Sequence, residues 1–385
     1  MTRIGLDLRA TEPGFKSHFG RGTGRYATEL ALRLPELSKK NGEIEVIGLA
    51  GERLRGTNLE RKVIASLPAG RQTVESQFGL PRRLRKLGVD YCHFFAHGDA
   101  PAWGGFPTIV TVLDLIPIKF RELYRGSNEN WRYHLARYLE LCAIRNSKGI
   151  VAISEATKKD LIEILNIEPN HIAVTYLGVD ERFAPTNEKA LIREELGLPI
   201  DSLLSLYVGG IDPRKNVLFL LDAFKQVVSK FPDAKLVLAG NHKKDKFYPG
   251  FSARLAELNL GSAVIQLGFF PDEKLPKLYQ AADLFVFPSL YEGFGLPVLE
   301  AARSGLPVIA GNNSSIPELL GVDYPLLSDN NLEEWSSRIV QLLESQTQRE
   351  KLSELGIVRG NMFSWDKTAE STLKAYQRFT ELGAM

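Results

Sequence analysis

Two cations and two carboxylates carry most of the chemistry that can be read from this chain. Arg214 and Lys215 stand side by side in Tyr207-Val-Gly-Gly-Ile-Asp-Pro-Arg-Lys-Asn216, after an apolar strand that ends in Gly209-Gly210 and before a helix. Two cations at a helix start conflict with the helix dipole. A bound diphosphate would remove that conflict, because Arg and Lys both pair with phosphate oxygens. The carboxylates are Glu292 and Glu300, in Pro288-Ser-Leu-Tyr-Glu-Gly-Phe-Gly-Leu-Pro-Val-Leu-Glu300. Between them Gly293-Phe294-Gly295 runs into a helix start at Leu296-Pro297. Free N–H groups at that helix start suit phosphate, and carboxylates accept hydrogen bonds from sugar or ribose hydroxyls. Two acids could equally serve as general acid and general base. A Glu-x7-Glu spacing alone is weak, and the plain alternative is one solvated loop acid and one solvated helix acid. The glycines, which allow close backbone approach, and Pro297 near the helix start favour a ligand cradle.

Weaker candidates lie in the first half. Gly20-Arg-Gly-Thr-Gly-Arg-Tyr26 opens a helix about ten residues after the first strand, so Gly22 could present backbone to a ligand. The tight strand-to-helix turn of a dinucleotide fingerprint and the Gly-Lys-Ser/Thr ending of a P-loop are both missing. Asp114, in Thr111-Val-Leu-Asp-Leu-Ile-Pro117, ends an apolar strand; a turn or cap role is as good a reading as a functional one. Leu80-Pro-Arg-Arg-Leu-Arg-Lys-Leu87 reads as a solvated basic helix face, with weak contact to anionic membrane through Arg82, Arg83, Arg85 and Lys86 as the alternative. No Asp-x-Asp pair, zinc spacing of histidines or Gly-x-Ser-x-Gly elbow occurs, so no metal is expected.

These motifs need strand ends to hold them. Continuously apolar runs alternate with helical patterns, which implies parallel sheets covered on both faces. Strands are expected at Arg3–Leu8, Glu45–Leu49, Tyr91–Phe95, Thr108–Leu113, Gly149–Ile153 and Ile172–Tyr176. A second set follows at Leu203–Val208, Lys235–Ala239, Val264–Leu267, Leu284–Phe287 and Pro307–Ala310. A chain of 385 residues exceeds one ordinary core. Turn residues after Gly178 place the division at 1–185 and 186–364, with a last amphipathic helix over about 365–385. The expected class is α/β, two doubly wound parallel-sheet domains whose carboxyl strand ends face each other across a cleft. The net charge of +2 and the lack of a nucleic-acid motif argue against nucleic acid as partner. Two cysteines, no signal-peptide pattern and no long apolar run point to a cytoplasmic chain with packed free thiols.

Gly22-Thr-Gly-Arg-Tyr26, Thr111–Pro117, Ala152-Ile-Ser154, Tyr207–Asn216, Phe287–Glu300, Pro307-Val-Ile-Ala310, Ser314-Ser-Ile-Pro-Glu318 and Phe363-Ser-Trp-Asp366 together resemble the retaining glycosyltransferases of family 4, with the GT-B fold. The resemblance covers nearly the whole chain. It implies a second domain that binds a nucleotide-diphosphate sugar and a first domain that binds the acceptor, with the last helix crossing back to the first. Arg214 and Lys215 would neutralise the departing diphosphate, and Glu300 would hold the ribose hydroxyls. Glu292 and the backbone of Gly293, Phe294, Gly295 and Leu296 would hold sugar and phosphate. Leu267 and Gly268 would contact the base, beside Gly209 and Gly210, and Gly22 would approach the donor from the first domain. The implied reaction is metal-independent hexose transfer with retention, to a saccharide or lipid-linked acceptor. UDP-glucose is preferred slightly over GDP-mannose. A nucleotide-sugar epimerase and a non-catalytic sugar-nucleotide binder are the competing readings. One departure is Leu113 before Asp114, where related sequences often carry His, so Asp114 is expected to orient the acceptor without that partner.

Overall fold

The computed structural model describes residues 1–12, 22–50, 61–63, 75–103, 105–124 and 131–384. Two compact units divide the chain. The first comprises Met1–Gly178 together with Trp365–Met385, and the second Val179–Ser364. The division falls at 178, not 185. The seven residues after Gly178 join the second unit because the backbone N–H of Val179 donates to the carbonyl of Phe363 and Phe183 packs against Tyr279.

Among the described residues, the first unit holds a seven-stranded sheet. Its strands are β1 (Thr2–Asp7), β2 (Ile44–Ala50), β3 (Arg61–Val63), β4 (Tyr91–Phe94), β5 (Thr108–Val112), β6 (Gly149–Ala152) and β7 (Ile172–Val174), in the order β3-β2-β1-β4-β5-β6-β7. Each pairing is parallel. β5 and β6 are buried along their whole length, as continuous apolar runs require when helices cover both faces. A helix, Trp131–Arg145, runs between β5 and β6 in sequence.

The helix Trp365–Ala384 completes this unit. It packs along the helix Gly22–Asn41 and onto β6. Its contact with the sheet depends on Gly149, where a Cβ would come within 2.3 Å of the Phe379 ring. Phe379 and Tyr376 are fully buried, and burial of each such side chain contributes about 2–3 kcal/mol. Tyr376 reaches His93 on β4, with its hydroxyl 2.6 Å from Nδ1, while Nε2 lies 2.8 Å from the Thr111 hydroxyl on β5. Burial disfavours the imidazolium and pushes the His93 pKa down to about 3. A neutral ring therefore ties β4, β5 and the last helix together.

The second unit, among its described residues, contains β8 (Leu204–Val208), β9 (Lys235–Ala239), β10 (Val264–Gly268), β11 (Leu284–Phe287) and β12 (Val308–Ala310) in the order β10-β9-β8-β11-β12, all parallel. The chain winds outward from β8 through β9 and β10, then returns to the other side of β8 as β11. The order thus reverses between β8 and β11, and a crevice opens there beyond the strands' carboxyl ends. The start of β11 is pinned by Asp283. Its carboxylate accepts from Arg193 at 2.6 Å, Lys189 at 3.0 Å and the Leu204 N–H at 2.8 Å. Burial opposes its ionisation, but Lys189, the Leu204 N–H and Arg193 together hold its pKa below the usual value.

Candidate active site

The two sequence motifs of the second unit meet at this reversal point. β8 leads into Gly209-Gly210 and then a short turn, Pro213–Lys215, that carries the two cations. β11 leads into Pro288–Gly295 and then the helix Leu296–Arg303. The Leu290 N–H donates to the Arg214 carbonyl at 2.8 Å, and Arg214 Nη1 donates to the Tyr291 carbonyl at 2.6 Å. Backbone and side chain of Arg214 thereby hold the two loops together across 77 residues of sequence.

Glu292 sits at the centre. Its Oε1 accepts from Lys215 Nζ at 2.6 Å and from the Ser289 hydroxyl at 2.5 Å, and lies 3.0 Å from Arg214 Nη1. The residue is 9% exposed, so the alternative of a solvated loop acid is excluded. Burial would raise its pKa. Lys215 first and Arg214 next, helped by hydrogen bonds from Lys215 and Ser289, outweigh burial and hold the carboxyl below its ordinary value. A buried carboxylate that stays ionised suits charge balance and ligand holding better than proton donation. Lys215 is also 5.1 Å from the Phe287 ring centroid, which fixes its ammonium over an aromatic face.

The loop after β11 is carried by a serine-rich segment. The Ser314 hydroxyl accepts from the Glu292 N–H at 3.0 Å. Ser315 donates to the Phe294 carbonyl at 2.6 Å and lies 3.2 Å from that of Glu292. Asn313 donates to the Ser289 carbonyl at 3.0 Å. Gly295 precedes the helix with φ +105°, a conformation that side chains strain to adopt, and a Cβ there would press on Ile316 at 3.0 Å. Phe294 is buried against Phe363, so only its backbone is offered to a ligand. Glu300, on the same helix, is 5% exposed and accepts from the Tyr279 hydroxyl at 3.0 Å. A solvated helix acid is thus excluded for Glu300 as well.

The neighbouring strand ends are glycine-lined for a steric reason. A Cβ at Gly209 would lie 2.7 Å from the Tyr207 hydroxyl, and one at Gly240 would lie 2.1 Å from the Gly209 carbonyl. Tyr207 itself donates to the Gly210 carbonyl at 2.6 Å. Leu267 and Gly268 end β10, where a register shift between Gln266 and Gly268 accompanies φ +70° at Gly268. His242, which sequence reasoning passed over, is buried with Nε2 2.8 Å from the Gly209 carbonyl. Ser289 and Asn313 were missed as well; their position beside a glycine-bounded loop was the available signal.

Gly22 and Asp114 belong to the first unit. Gly22 starts the helix Gly22–Asn41 with open space around its Cβ position, while Gly20 and Arg21 lie outside the described residues. Asp114 accepts from the Ile116 N–H at 3.0 Å, the turn role weighed for it, and also lines a pocket of about 290 Å³ at the ends of β4 and β5. In the basic helix Leu80–Lys86, Leu80, Pro81 and Leu84 are buried while Arg82, Arg85 and Lys86 are exposed. The Arg85 guanidinium donates to the Gly105 carbonyl. Among the described residues, no group of three or more His, Cys, Asp or Glu is arranged to hold a metal ion, and no helix is long and apolar enough to cross a membrane.

A cation pair lies at the reversal point of a doubly wound α/β sheet, beside a glycine loop and a helix start, where such sheets bind ligands. Residues 20–183 match the model of Glycosyltransferase Family 4, and residues 188–358 match that of Glycosyl transferases group 1. With both units matched, the chain belongs to family 4 of the glycosyltransferases, and its two units have the GT-B fold. It is 32% identical over 256 residues to O-antigen chain mannosyltransferase B of Escherichia coli, covering 63% of this chain and 64% of that protein. It is 29% identical over 284 residues to D-inositol 3-phosphate glycosyltransferase of Segniliparus rotundus, covering 73% and 63%. The chain spans between a third and just under two thirds of the first curated relatives it matches. The crystal structure of Anabaena HepE in complex with UDP and glucose has a TM-score of 0.72 at 18% identity, covering 98% of this chain and 99% of that one, a likeness of fold.

Proposed function

We propose that the chain transfers a hexose from a nucleotide-diphosphate sugar to a saccharide or lipid-linked acceptor, with retention and without a metal. The observation that carries this is the buried cluster of Arg214, Lys215 and Glu292 at the reversal point between β8 and β11. Arg214 and Lys215 neutralise the diphosphate as the glycosidic bond to phosphate breaks. The acceptor hydroxyl attacks from the same face, and its proton passes to the departing phosphate oxygen. Such a route needs no protein nucleophile, and it fits a site of cations and dipoles. Glu300 holds the ribose hydroxyls. Glu292 and the Gly293–Leu296 loop hold the sugar, and Leu267 and Gly268 face the base. Gly22 and Asp114 serve from the first unit, Asp114 by orienting the acceptor.

The sequence alone leans to UDP-glucose. The mannosyltransferase relative at 32% identity moves our preference to GDP-mannose, with UDP-glucose second on the likeness to HepE. The free thiols Cys92 and Cys142 support a cytoplasmic location. The exposed Arg82, Arg85 and Lys86 support weak, salt-sensitive contact with anionic lipid, read by liposome sedimentation. Calorimetry against a donor panel, followed by nucleotide release with acceptor, tests the main reading. A folded chain that binds no nucleotide sugar would overturn it, and altered free sugar without acceptor would favour an epimerase.

A further inference from the structure

The Gly209-Gly210 loop after β8 has both of its carbonyls tied by buried side chains. His242, just past the end of β9, folds back so that Nε2 lies 2.8 Å from the Gly209 carbonyl. A carbonyl only accepts, so Nε2 carries the proton and donates. Nδ1 is buried without a hydrogen-bond partner, which fits a neutral ring. Burial lowers the His242 pKa by more than the Gly209 bond and the Asp245 charge raise it. The next carbonyl, that of Gly210, accepts from the Tyr207 hydroxyl at 2.6 Å. His242 is 2% exposed and Tyr207 is fully buried. Gly240 makes room for the imidazole: a Cβ there would lie 2.5 Å from Nε2.

Two glycines in a row leave the peptide plane between them free to turn. The C=O and N–H of a trans peptide point in opposite directions. Gly209 faces β9: its N–H donates to the Ala239 carbonyl at 3.0 Å, and its carbonyl meets His242. β11 lies on the opposite side of β8. The Gly210 N–H, at the other end of the same peptide, therefore points toward the β11 side, where Arg214, Lys215 and Glu292 gather. Gly210 is exposed, and its N–H has no partner among the described residues. An untied loop could swing a carbonyl there instead, and a carbonyl oxygen repels the phosphate that an N–H attracts. We infer that His242 is a positioning residue. Together with Tyr207 it locks the Gly209-Gly210 loop so that an N–H, not a carbonyl, meets the diphosphate of the donor. This rests on the reading of the chain as a nucleotide-sugar transferase.

Calorimetry on the full chain with UDP and GDP tests it, with uridine and guanosine read by saturation-transfer NMR as controls that lack phosphate. His242→Leu should weaken the diphosphate that the native protein binds by about tenfold, the size of one charge-assisted hydrogen bond, and leave its nucleoside unchanged. His242→Gln, whose amide N–H can stand in for Nε2–H, should keep the native affinity. Tyr207→Phe, which removes only the hydroxyl, should weaken the diphosphate in the same selective way. A folded His242→Leu variant with native diphosphate affinity, equal loss of nucleoside and diphosphate, or a Gln variant as weak as the Leu one would overturn the inference. If His242→Leu fails to fold, the Gln and Phe variants decide. Nitrogen NMR of the imidazole reads the tautomer with no ligand present, and a proton on Nδ1 in place of Nε2 would also overturn it. A native protein that binds neither UDP nor GDP counts against the transferase reading, while the tautomer still decides whether His242 holds the loop.

Discussion

Replacing Glu292 by Gln should destabilise the free protein and strengthen its response to a diphosphate. The carboxylate balances two cations whose side chains are only 11% and 14% exposed. Gln keeps the shape and one carbonyl acceptor, so the Ser289 hydroxyl keeps a partner. Two ion pairs, at 2.6 and 3.0 Å, become hydrogen bonds from a cation to a neutral oxygen. That change alone is worth about 1 kcal/mol for each contact. Two nearly buried cations left side by side bring the loss to about 3 kcal/mol, the lower end of what breaking a buried ion pair costs. For a unit of this size, roughly 2–4 °C per kcal/mol gives a fall in Tm of roughly 6–12 °C. UDP isolates the diphosphate from the sugar. In the native protein it must share Arg214 and Lys215 with Glu292, whereas in the variant both are open to it. UDP should therefore raise the Tm of Glu292→Gln by more than it raises that of the native protein. Differential scanning fluorimetry across a UDP titration reads both quantities. A variant that melts within about 2 °C of the native protein, or gains no more from UDP, would refute the argument that this carboxylate stands in for the diphosphate.

Three further outcomes follow from the geometry. Glu300→Ala should chiefly weaken donor binding in calorimetry, about tenfold for one lost charged hydrogen-bond acceptor, and leave the release rate at saturating donor nearly intact. Gly149→Ala should cost about 1–3 kcal/mol in urea denaturation, since its methyl meets the Phe379 ring at 2.3 Å. His93 stays neutral when folded, with a pKa of about 3 against an ordinary 6.5. The unfolded chain then binds an extra proton between those values. The contribution of His93 to stability is full above pH 6.5 and is lost progressively, by roughly 4–5 kcal/mol, as pH falls to 3. The urea midpoint of His93→Gln should fall less steeply over that window than that of the native protein. Parallel slopes would show that another group controls the acid limb.

The sheet cores were legible because parallel strands buried on both faces must be continuously apolar. Lys235–Ala239 and Leu284–Phe287 agree to the residue with β9 and β11. β3, Arg61-Lys-Val63 at the sheet edge, carries no such run and was missed. The helix Glu155–Leu165 lies between β6 and β7 where the alternation requires one, and Ser154 caps it by accepting the Thr157 N–H at 3.0 Å. In the site, residue types were readable but pairings were not. Glu292 meets Lys215 only because β11 lies next to β8, a fact of strand order that no local pattern records.

The neutral imidazole of His93, bonded to Tyr376, has a consequence for how the chain is made. On the ribosome, β4 and β5 emerge early, but Tyr376 and Phe379 follow only after the whole of the second unit. The first unit is thus begun first and finished last. Until then Gly149 and His93 face an unfilled groove, and released chains truncated before residue 365 should be protease-sensitive in the first unit while the second is protected.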